Sequence, residues 1–408
     1  LFEWQEVLSL PERHWQGTHS SKLGLNLTHQ RFSGEHASRT VRVEHSDAPL
    51  AERIAFIGPT RLATHKTEFT LFAQDKWNPV RRLTLDLGLR FDRDTLARES
   101  LLAPRLGFAW LVTGDNRTVL RGGTGLFYDK VPLNVGYFEQ LQQRVVTRFA
   151  ADGITAVDGP RPYVNRLEGG RPRTPRSVAF SLELDREVSP GWLMRLGYQQ
   201  REGRREFVLN PFDDLAGVPT LLLAAAGRSR YAEFQVTSSY RFRERHFLNA
   251  SYVRSRATGN LNNFQQFFGN FEDPIIRPDE RSRLGLDVPN RFLFWGEVTG
   301  LLGIVYAPVL ELRDGFPVSR IDAERNFVGP RNLAGRYPFF ASLDLQLFRD
   351  FKVKAYGKVR KVRVGLRVFN LFKHFNPRDF QSNSDAPDAG TFYNGRGRLF
   401  RGKLVLEF

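Results

Sequence analysis

LTLDLGLRFD, residues 83–92, is the segment whose pattern indicates the fold most clearly. Its odd-numbered positions are all Leu or Phe, whereas its even-numbered positions are Thr, Asp, Gly, Arg and Asp. Successive side chains of a β-strand point to opposite faces, so this strand has one fully apolar face and one charged or small face. We interpret the two faces as a lipid face and a wet face.

The same alternation recurs along the chain, most clearly in 106–112, 178–184, 192–198, 343–347 and 362–368. Convincing amphipathic helical periodicity is scarce, which predicts an all-β chain. No stretch approaches the roughly 20 apolar residues that a membrane-spanning helix needs. Strands that place only every second residue in lipid escape that requirement.

Connection lengths distinguish a membrane barrel from a soluble sandwich, which would also alternate. Short links alternate with long ones; the short links are 78–79, 113–116, 189–191 and 243–245, and the long ones are near 129–173, 203–227, 258–288, 315–337 and 373–396. Outer-membrane barrels have this arrangement, with short periplasmic turns and long extracellular loops. We therefore predict an antiparallel up-and-down transmembrane β-barrel in the outer membrane of a Gram-negative bacterium.

About fourteen crossing strands are expected from the pattern, at 19–32, 66–77, 80–93, 102–113, 115–128, 174–187, 190–202, 228–241, 245–257, 289–300, 302–314, 338–350, 358–371 and 397–408. Residues 37–57 are also strand-like and would form a hairpin within an extracellular loop. Tyr137–Ala150 is expected to do the same. An even strand count would leave the last strand running towards the periplasm.

The last strand, RLFRGKLVLEF (398–408), places four apolar residues on one face: Phe400, Leu404, Leu406 and Phe408. A terminal Phe preceded by this alternation resembles the signal that the barrel-assembly machinery recognises. We therefore expect that machinery to be a partner, together with outer-membrane lipid and lipopolysaccharide.

The composition narrows the class of ligand. The chain has no Cys, one Met and a net charge of +16, which is compatible with nucleic acid, lipopolysaccharide phosphates or anionic solutes as partners. Its Arg residues are dispersed and form no basic run with interleaved aromatics of the kind that single-strand binders use. We predict no nucleic-acid partner.

Nine charges are predicted on the wet face, where they would hold a plug through salt bridges or line a substrate path: Asp86, Arg90, Asp92, Arg105, Glu183, Asp185, Arg195, Arg363 and Arg367. The loops 258–288 and 129–173 are rich in aromatic, amide and Arg side chains, which suits polar ligands such as glycans or peptides. Ordinary loop packing would explain that composition nearly as well.

No motif predicts catalysis, a metal or a cofactor. The glycine cluster 121–125 lacks the Lys-Ser/Thr ending of a phosphate loop, and we interpret it as part of a strand in which glycines permit bending and close approach. The His residues show no metal-ligand spacing. Nucleophile–His arrangements are also missing, so we predict that the chain is not an enzyme.

Longer segments resemble the TonB-dependent receptors, in particular the Oar-like branch with an N-terminal carboxypeptidase-regulatory-like domain. The segments are FTLFAQDKWNPVRRLTLDLGLRFDRD (69–94), APRLGFAWLVTGDNRTVLRGGTGLFYDK (103–130), YPFFASLDLQLFRDFKV (337–353) and RVFNLFKHFNPRDF (367–380). The most specific element joins Phe69 or Phe72 to Gln74, Asp75 and Trp77. The resemblance implies a 22-stranded barrel filled by an N-terminal plug, with a TonB box that couples the plug to the inner membrane.

We expect residues 1–64 to form the first barrel strand or strands and an extracellular hairpin, and 65–408 to form the C-terminal strands and loops. Neither plug nor TonB box is present in the chain, so about eight strands and the plug would lie upstream. The leading hypothesis is a TonB-dependent receptor that takes up a large solute such as a siderophore, glycan or peptide. The alternatives are a passive porin-like channel of about fourteen strands and a soluble basic β-sheet protein that binds polyanions.

Overall fold

The computed structural model describes residues 1–45, 48–213, 216–242, 246–261, 280–322, 327–355 and 357–407. The strands in chain order are β1 Phe2–Ser9, β2 Arg13–His14, β3 Thr18–Glu35, β4 Val41–His45, β5 Ala48–Ile57, β6 Arg61–Val80, β7 Leu83–Asp94, β8 Ser100–Leu111, β9 Thr118–Tyr128, β10 Gln143–Phe149, β11 Ala156–Leu167, β12 Arg176–Ser189, β13 Trp192–Asp213, β14 Pro219–Phe242, β15 His246–Gly259, β16 Ser282–Arg283, β17 Asn290–Thr299, β18 Val305–Arg313, β19 Phe340–Ala355, β20 Lys358–Phe369, β21 Asp379–Phe380, β22 Phe392–Tyr393 and β23 Leu399–Glu407. A short α-helix, α1, spans Leu133–Gly136, and 3-10 turns span Phe138–Gln140, Glu168–Gly170 and Leu301–Gly303.

Fifteen long strands form one continuous wall in which every strand is antiparallel to its neighbours: β1, β3, β6 to β9, β12 to β15, β17 to β20 and β23. All fourteen expected strands are among them. The additional strand, β1, pairs with β3 from Phe2↔His29 to Ser9↔Lys22. Its alternation is broken by Glu6 on the face of Trp4 and Leu8, which is why the sequence pattern did not reveal it.

The wall has two open edges among the described residues. β1 pairs only with β3 along the wall, and β23 pairs only with β20. Fourteen successive antiparallel pairings separate β1 from β23, so the two edge strands run in the same direction. Antiparallel closure needs an even number of strands, and the even count that supported a self-closing channel is therefore not found.

The wall exposes its apolar face and carries its charges on the opposite face, whereas a soluble sheet buries its apolar face. Apolar side chains on one face are exposed, for example Leu89 (46%), Leu106 (49%) and Phe180 (46%), whereas the carboxylate-bearing Asp185 on the other face is only 4% exposed. A soluble protein rarely exposes a continuous apolar surface of this extent. Lipid is the solvent that this face requires.

The connections differ at the two ends of the wall. At the periplasmic end, β6 joins β7 through residues 81–82 and β12 joins β13 through residues 190–191. At the extracellular end, β9 joins β12 through residues 129–175, which include α1, β10 and β11. The expected long loop at 203–227 is mostly strand instead, because β13 and β14 continue past a bulge at residues 204–208 and pair up to Asp213↔Pro219.

A loop module stands at the extracellular end and consists of β4, β5, α1, β10, β11 and the outer ends of β13 and β14. β4 pairs with β5, β5 with β10 and β10 with β11, all antiparallel, and β11 runs parallel to β14 at Val164↔Thr220. The module holds a buried apolar cluster formed by Ala97, Val131, Val135, Phe138, Leu209, Leu221 and Leu223. This buried cluster lies at the extracellular end of the wall.

None of the helices within the described ranges combines the length and the apolar character needed to cross a membrane.

Candidate functional site on the polar face and extracellular loops

Four charged side chains meet on the polar face of β9, β12 and β13. Arg121 approaches Asp185 at 2.8 Å and Glu183 at 3.2 Å. Arg195 approaches the same carboxylates at 2.7 and 3.3 Å. The cross-strand register creates this network, because Glu183 lies opposite Arg121 and Asp185 lies opposite Arg195. Two arginines shared by two carboxylates tie three strands together.

A cavity of 640 Å³ opens on the same face, between β6 and β14. Asp86 and Arg105 line it, and the Arg105 guanidinium lies 4.6 Å from the centre of the Phe127 ring. The floor is formed by small residues, namely Gly88, Gly107, Gly123, Gly125, Ala179 and Ser181. The short side chains of these residues leave space on the polar face for a solute or for a plug.

The remaining predicted charges form separate pairs. Arg90 donates three hydrogen bonds to Asp92, at 2.9, 2.8 and 2.7 Å, and Thr70 donates a further one at 2.6 Å. Arg363 is bidentate with Asp350 at 2.6 and 2.9 Å. The first pair lies along β7 and the second joins β19 to β20, and in both a bidentate geometry fixes the two side chains.

All nine predicted charges lie on the face opposite the exposed apolar one, but they do not converge on one point. The structure brings together Glu183, Asp185 and Arg195, and places Asp86 with Arg105 around the cavity. Sequence reasoning missed Arg121, which it treated only as part of the glycine cluster. The register between β9 and β12 reveals the role of Arg121, and alternation within one strand carries no information about that register.

The glycine cluster is confirmed as part of a strand, β9. A Cβ on Gly122 would lie 2.6 Å from the Phe108 ring and 3.0 Å from the carbonyl oxygen of Ser181. Glycine is therefore required because the ring and the neighbouring backbone approach so closely.

The C-terminal signal residues Phe400, Leu404 and Leu406 are exposed on the apolar face of β23. Phe408 lies outside the described residues. The exposed row is compatible with recognition before or during membrane insertion.

The family-like element near Trp77 forms part of the periplasmic rim. The carboxylate of Asp75 lies 2.7 Å from His19 Nδ1 and accepts a hydrogen bond of 2.8 Å from Ser21. The His19 ring stacks on Trp77 with centroids 5.5 Å apart. Amphipathic rings of this kind suit the boundary between lipid and water.

A buried ion cluster anchors the loop module to the wall. Lys66 is 2% exposed, and its Nζ donates hydrogen bonds of 2.7 Å to Glu68 and to the carbonyl oxygen of Val131. The second oxygen of Glu68 accepts a bond of 2.8 Å from Lys130. Removal of Glu68 would take from the buried Lys66 its carboxylate partner, and the bond from Lys66 to Val131 holds the loop after β9 on β6.

Arg144 lies within the loop module and is 8% exposed. Burial lowers the pKa of its guanidinium, while the charge of Glu52 acts in the opposite direction. Its Nε has no hydrogen-bond partner among the residues that the structure describes. The described residues include no group of three or more His, Cys, Asp or Glu arranged to hold a metal ion.

An up-and-down antiparallel wall with a lipid-compatible face, a charged opposite face and one end with long loops defines an outer-membrane β-barrel. The chain belongs to the outer-membrane β-barrel domain family, whose model matches residues 96–299. A second model, the TonB-dependent-receptor-like β-barrel, matches residues 7–128. The resemblance to TonB-dependent receptors is thereby confirmed, and the chain is an outer-membrane protein.

Solved structures show the same fold. The outer-membrane transporter YddB from Escherichia coli is 14% identical, with a TM-score of 0.70, and the match covers 98% of this chain and 53% of that one. A variant of the ferric enterobactin receptor PfeA from Pseudomonas aeruginosa, solved with enterobactin, is 15% identical with a TM-score of 0.64 over 98% and 53% of the chains. The siderophore receptor PirA from Acinetobacter baumannii is 14% identical with a TM-score of 0.61, and the match covers 98% of this chain and 54% of that one. The chain thus spans about half the length of these proteins, and no curated protein matches its sequence.

Proposed function

We propose that this chain forms the C-terminal wall and extracellular loops of a TonB-dependent outer-membrane receptor that takes up a large solute. The observation that carries the proposal is the open wall of fifteen strands whose two edges run in the same direction. An odd number of further strands is needed to close such a wall, and a 22-stranded barrel would need about seven. Fourteen expected strands had left about eight strands upstream, and the fifteen observed strands reduce that number to about seven.

Upstream residues would supply those strands and the plug. The plug would lie against the polar face, where the network of Arg121, Glu183, Asp185 and Arg195 and the cavity beside Asp86 and Arg105 offer charges of both signs. The nine predicted charges would then hold the plug or line the path that opens when the plug moves. TonB would act through the plug, since backbone hydrogen bonds hold the described wall strands to their neighbours.

The loop module would capture the solute. Its buried apolar cluster and the anchored Lys66 give it a defined shape without a ligand, and a preformed surface binds at a lower entropic cost. The loop after β15 lies largely outside the described residues, which end at 261 and resume at 280.

The finer partners follow from the exposed faces. The apolar face would contact outer-membrane lipid and the acyl chains of lipopolysaccharide, and the row of Phe400, Leu404 and Leu406 would be read by the barrel-assembly machinery. We propose no enzymatic reaction and no resident cofactor.

Translation of the coding sequence upstream of Leu1, followed by bilayer recording of the complete product, tests the proposal. We expect a plug domain with a TonB box in frame, and a purified protein that gives no steady large conductance until the plug is deleted. A gene product without a plug that shows discrete steady conductance in planar bilayers would establish the passive channel instead. Recovery of the complete product only from the soluble fraction would favour the polyanion-binding alternative.

A further inference from the structure

A second cavity, of 770 Å³, lies on the polar face at the extracellular ends of β18, β19, β20 and β23. Five arginines line it, and we refer to them as the arginine pocket: Arg313, Arg367, Arg378, Arg396 and Arg401. Asp344 is the single acidic residue of the lining. Only Arg367 among the five belongs to the nine predicted charges, and the other four have no role assigned above.

The charges of the pocket are only partly compensated. Arg367 lies 3.7 Å from Asp344, and Arg313 lies 3.3 Å from Glu311 on the same strand. Within the described parts of the chain, Arg378, Arg396 and Arg401 form no ion pair with a carboxylate. Three guanidinium groups therefore retain their donors for an anion from outside the wall.

Aromatic rings hold three of the guanidinium groups in place. Arg313 lies over the rings of Phe316 and Phe340, at 4.6 and 4.3 Å from their centres. Arg367 and Arg401 both lie over Phe369, at 4.4 and 5.6 Å. Stacking on a ring occupies the face of a guanidinium and leaves its N–H edge available for bidentate contact with a carboxylate or phosphate.

Two buried asparagines fix the loop that carries Arg378 and Arg396. Asn376 exchanges hydrogen bonds with the backbone of Ala341, at 3.1 and 2.8 Å. Asn370 donates to the carbonyl oxygen of Arg396 at 3.1 Å and to that of His374 at 2.8 Å. The pocket is thus built by residues of the segment 367–380 together with the strand ends.

Tyr337 closes the rim of the pocket. Its hydroxyl donates a hydrogen bond of 3.2 Å to the carbonyl oxygen of Arg378, and its ring packs on Phe392 with centroids 5.1 Å apart. Burial raises the pKa of Tyr337, and the charge of Asp379 adds to the effect. The phenol stays neutral and adds no negative charge to the pocket.

We propose that the arginine pocket binds a small polyanionic solute, one that carries at least two carboxylate or phosphate groups, on its way through the receptor. The inference rests on the proposed function and names the substrate class. The volume suits a small molecule and not a polymer, since ligand cavities typically span about 300–1,000 Å³. The pocket opens on the polar face and so does not meet the lipopolysaccharide phosphates outside the barrel.

Binding of citrate and of inorganic pyrophosphate to the complete protein, purified from outer membranes in detergent and followed by calorimetry, tests the inference. We expect one of the two probes to bind at low ionic strength. Binding should weaken as NaCl is raised from 50 to 500 mM, because the ion pairs between the arginines and the bound anion are accessible to water and salt. Which probe binds tells a carboxylate ligand from a phosphate ligand. Arg378→Gln and Arg401→Gln should each weaken binding by about tenfold, the loss of one charge-assisted contact.

Arg81→Gln is the matched control. Arg81 is an exposed arginine in the periplasmic turn between β6 and β7, away from the pocket and from the capture loops, and its removal changes the net charge by the same amount. Each variant must retain the heat-modifiable gel mobility of a folded barrel, so that a loss of binding reports on the pocket.

The inference is overturned if neither probe binds, as would occur if acidic side chains of the plug fill the pocket, or if Arg81→Gln weakens binding as much as the pocket variants. The assay needs no energised membrane. A protein that binds citrate and lacks a TonB box would contradict the proposed function and leave the pocket assignment intact. A receptor that has a plug but binds neither probe would contradict the pocket assignment and leave the proposed function intact.

Discussion

Leu196 and Gly197 are neighbours on β13 and face opposite sides of the wall, so one substitution made at both positions tests the assignment of the faces. Leu196 is 41% exposed on the apolar face. A Cβ on Gly197 would have nothing within 4 Å, and this residue lies opposite Glu183 on the polar face. Leu196→Arg would place a guanidinium in lipid, whereas Gly197→Arg would place it in water beside a carboxylate.

Depth sets the magnitude of the effect. Leu196 lies four residues from Trp192, where β13 begins at the periplasmic end, which is roughly 13 Å along the strand and about 10 Å along the membrane normal for a tilt of about 40°. That position is near the middle of an apolar band about 25 Å tall, where an arginine on the lipid face costs about 2–4 kcal/mol. For Gly197→Arg we expect a change in the free energy of unfolding within about 1 kcal/mol.

Equilibrium unfolding in guanidinium chloride from lipid vesicles, followed by Trp fluorescence, measures both variants in the complete protein. A loss of stability in Leu196→Arg together with little change in Gly197→Arg confirms the faces. Equal losses in the two variants, or a stable Leu196→Arg, would show that this apolar face does not contact lipid.

Three further predictions concern the polar groups. Asp185→Asn should lower the free energy of unfolding by about 1–3 kcal/mol because it leaves two arginines without their shared buried partner, and the more exposed Asp350→Asn should cost less in the same unfolding assay. Asn376→Ala should speed hydrogen exchange of the Ala341 amide, which then loses its acceptor; unchanged exchange would show that the loop does not depend on this contact. Asp115 lies in a periplasmic turn, and hydrogen bonds from Thr113 and from the Arg117 amide lower its pKa. Its contribution to the free energy of unfolding is therefore present above a pH of about 3.8 and is lost as the pH falls through the folded pKa. Asp115→Asn should reduce the loss of folded protein below that pH, measured as the folded fraction in an acid titration.

Alternation was sufficient to place fourteen wall strands and to assign their faces, since a period of two is written directly in each strand. It failed at β1, where Glu6 interrupts the apolar row. Register was not available from the sequence, because it depends on which residue of the next strand lies opposite. The network around Arg121 and the continuation of β13 and β14 past residue 204 both depend on register, and only the structure shows them.

The arginine pocket was also beyond reach of the pattern. Its residues come from four strands and three loop segments. Among its arginines, only Arg367 was predicted from the sequence to lie on the wet face. Arg378 and Arg396 lie in a stretch that reads as an ordinary long loop. Their positions follow from Asn370 and Asn376, whose side chains replace the backbone pairing that a strand would have supplied.

The wall and the loop module are stabilised in different ways, because the wall is surrounded by lipid and the loop module by water. This difference has a functional consequence. The wall has little apolar burial of its own and depends on backbone pairing and on lipid around its exposed face. The loop module carries the packed cluster around Phe138 and is anchored by Lys66, so its shape depends on burial from water, as in a soluble domain. A receptor built in this way can present a preformed capture surface outside the membrane, while the polar face below it changes occupant when a plug moves.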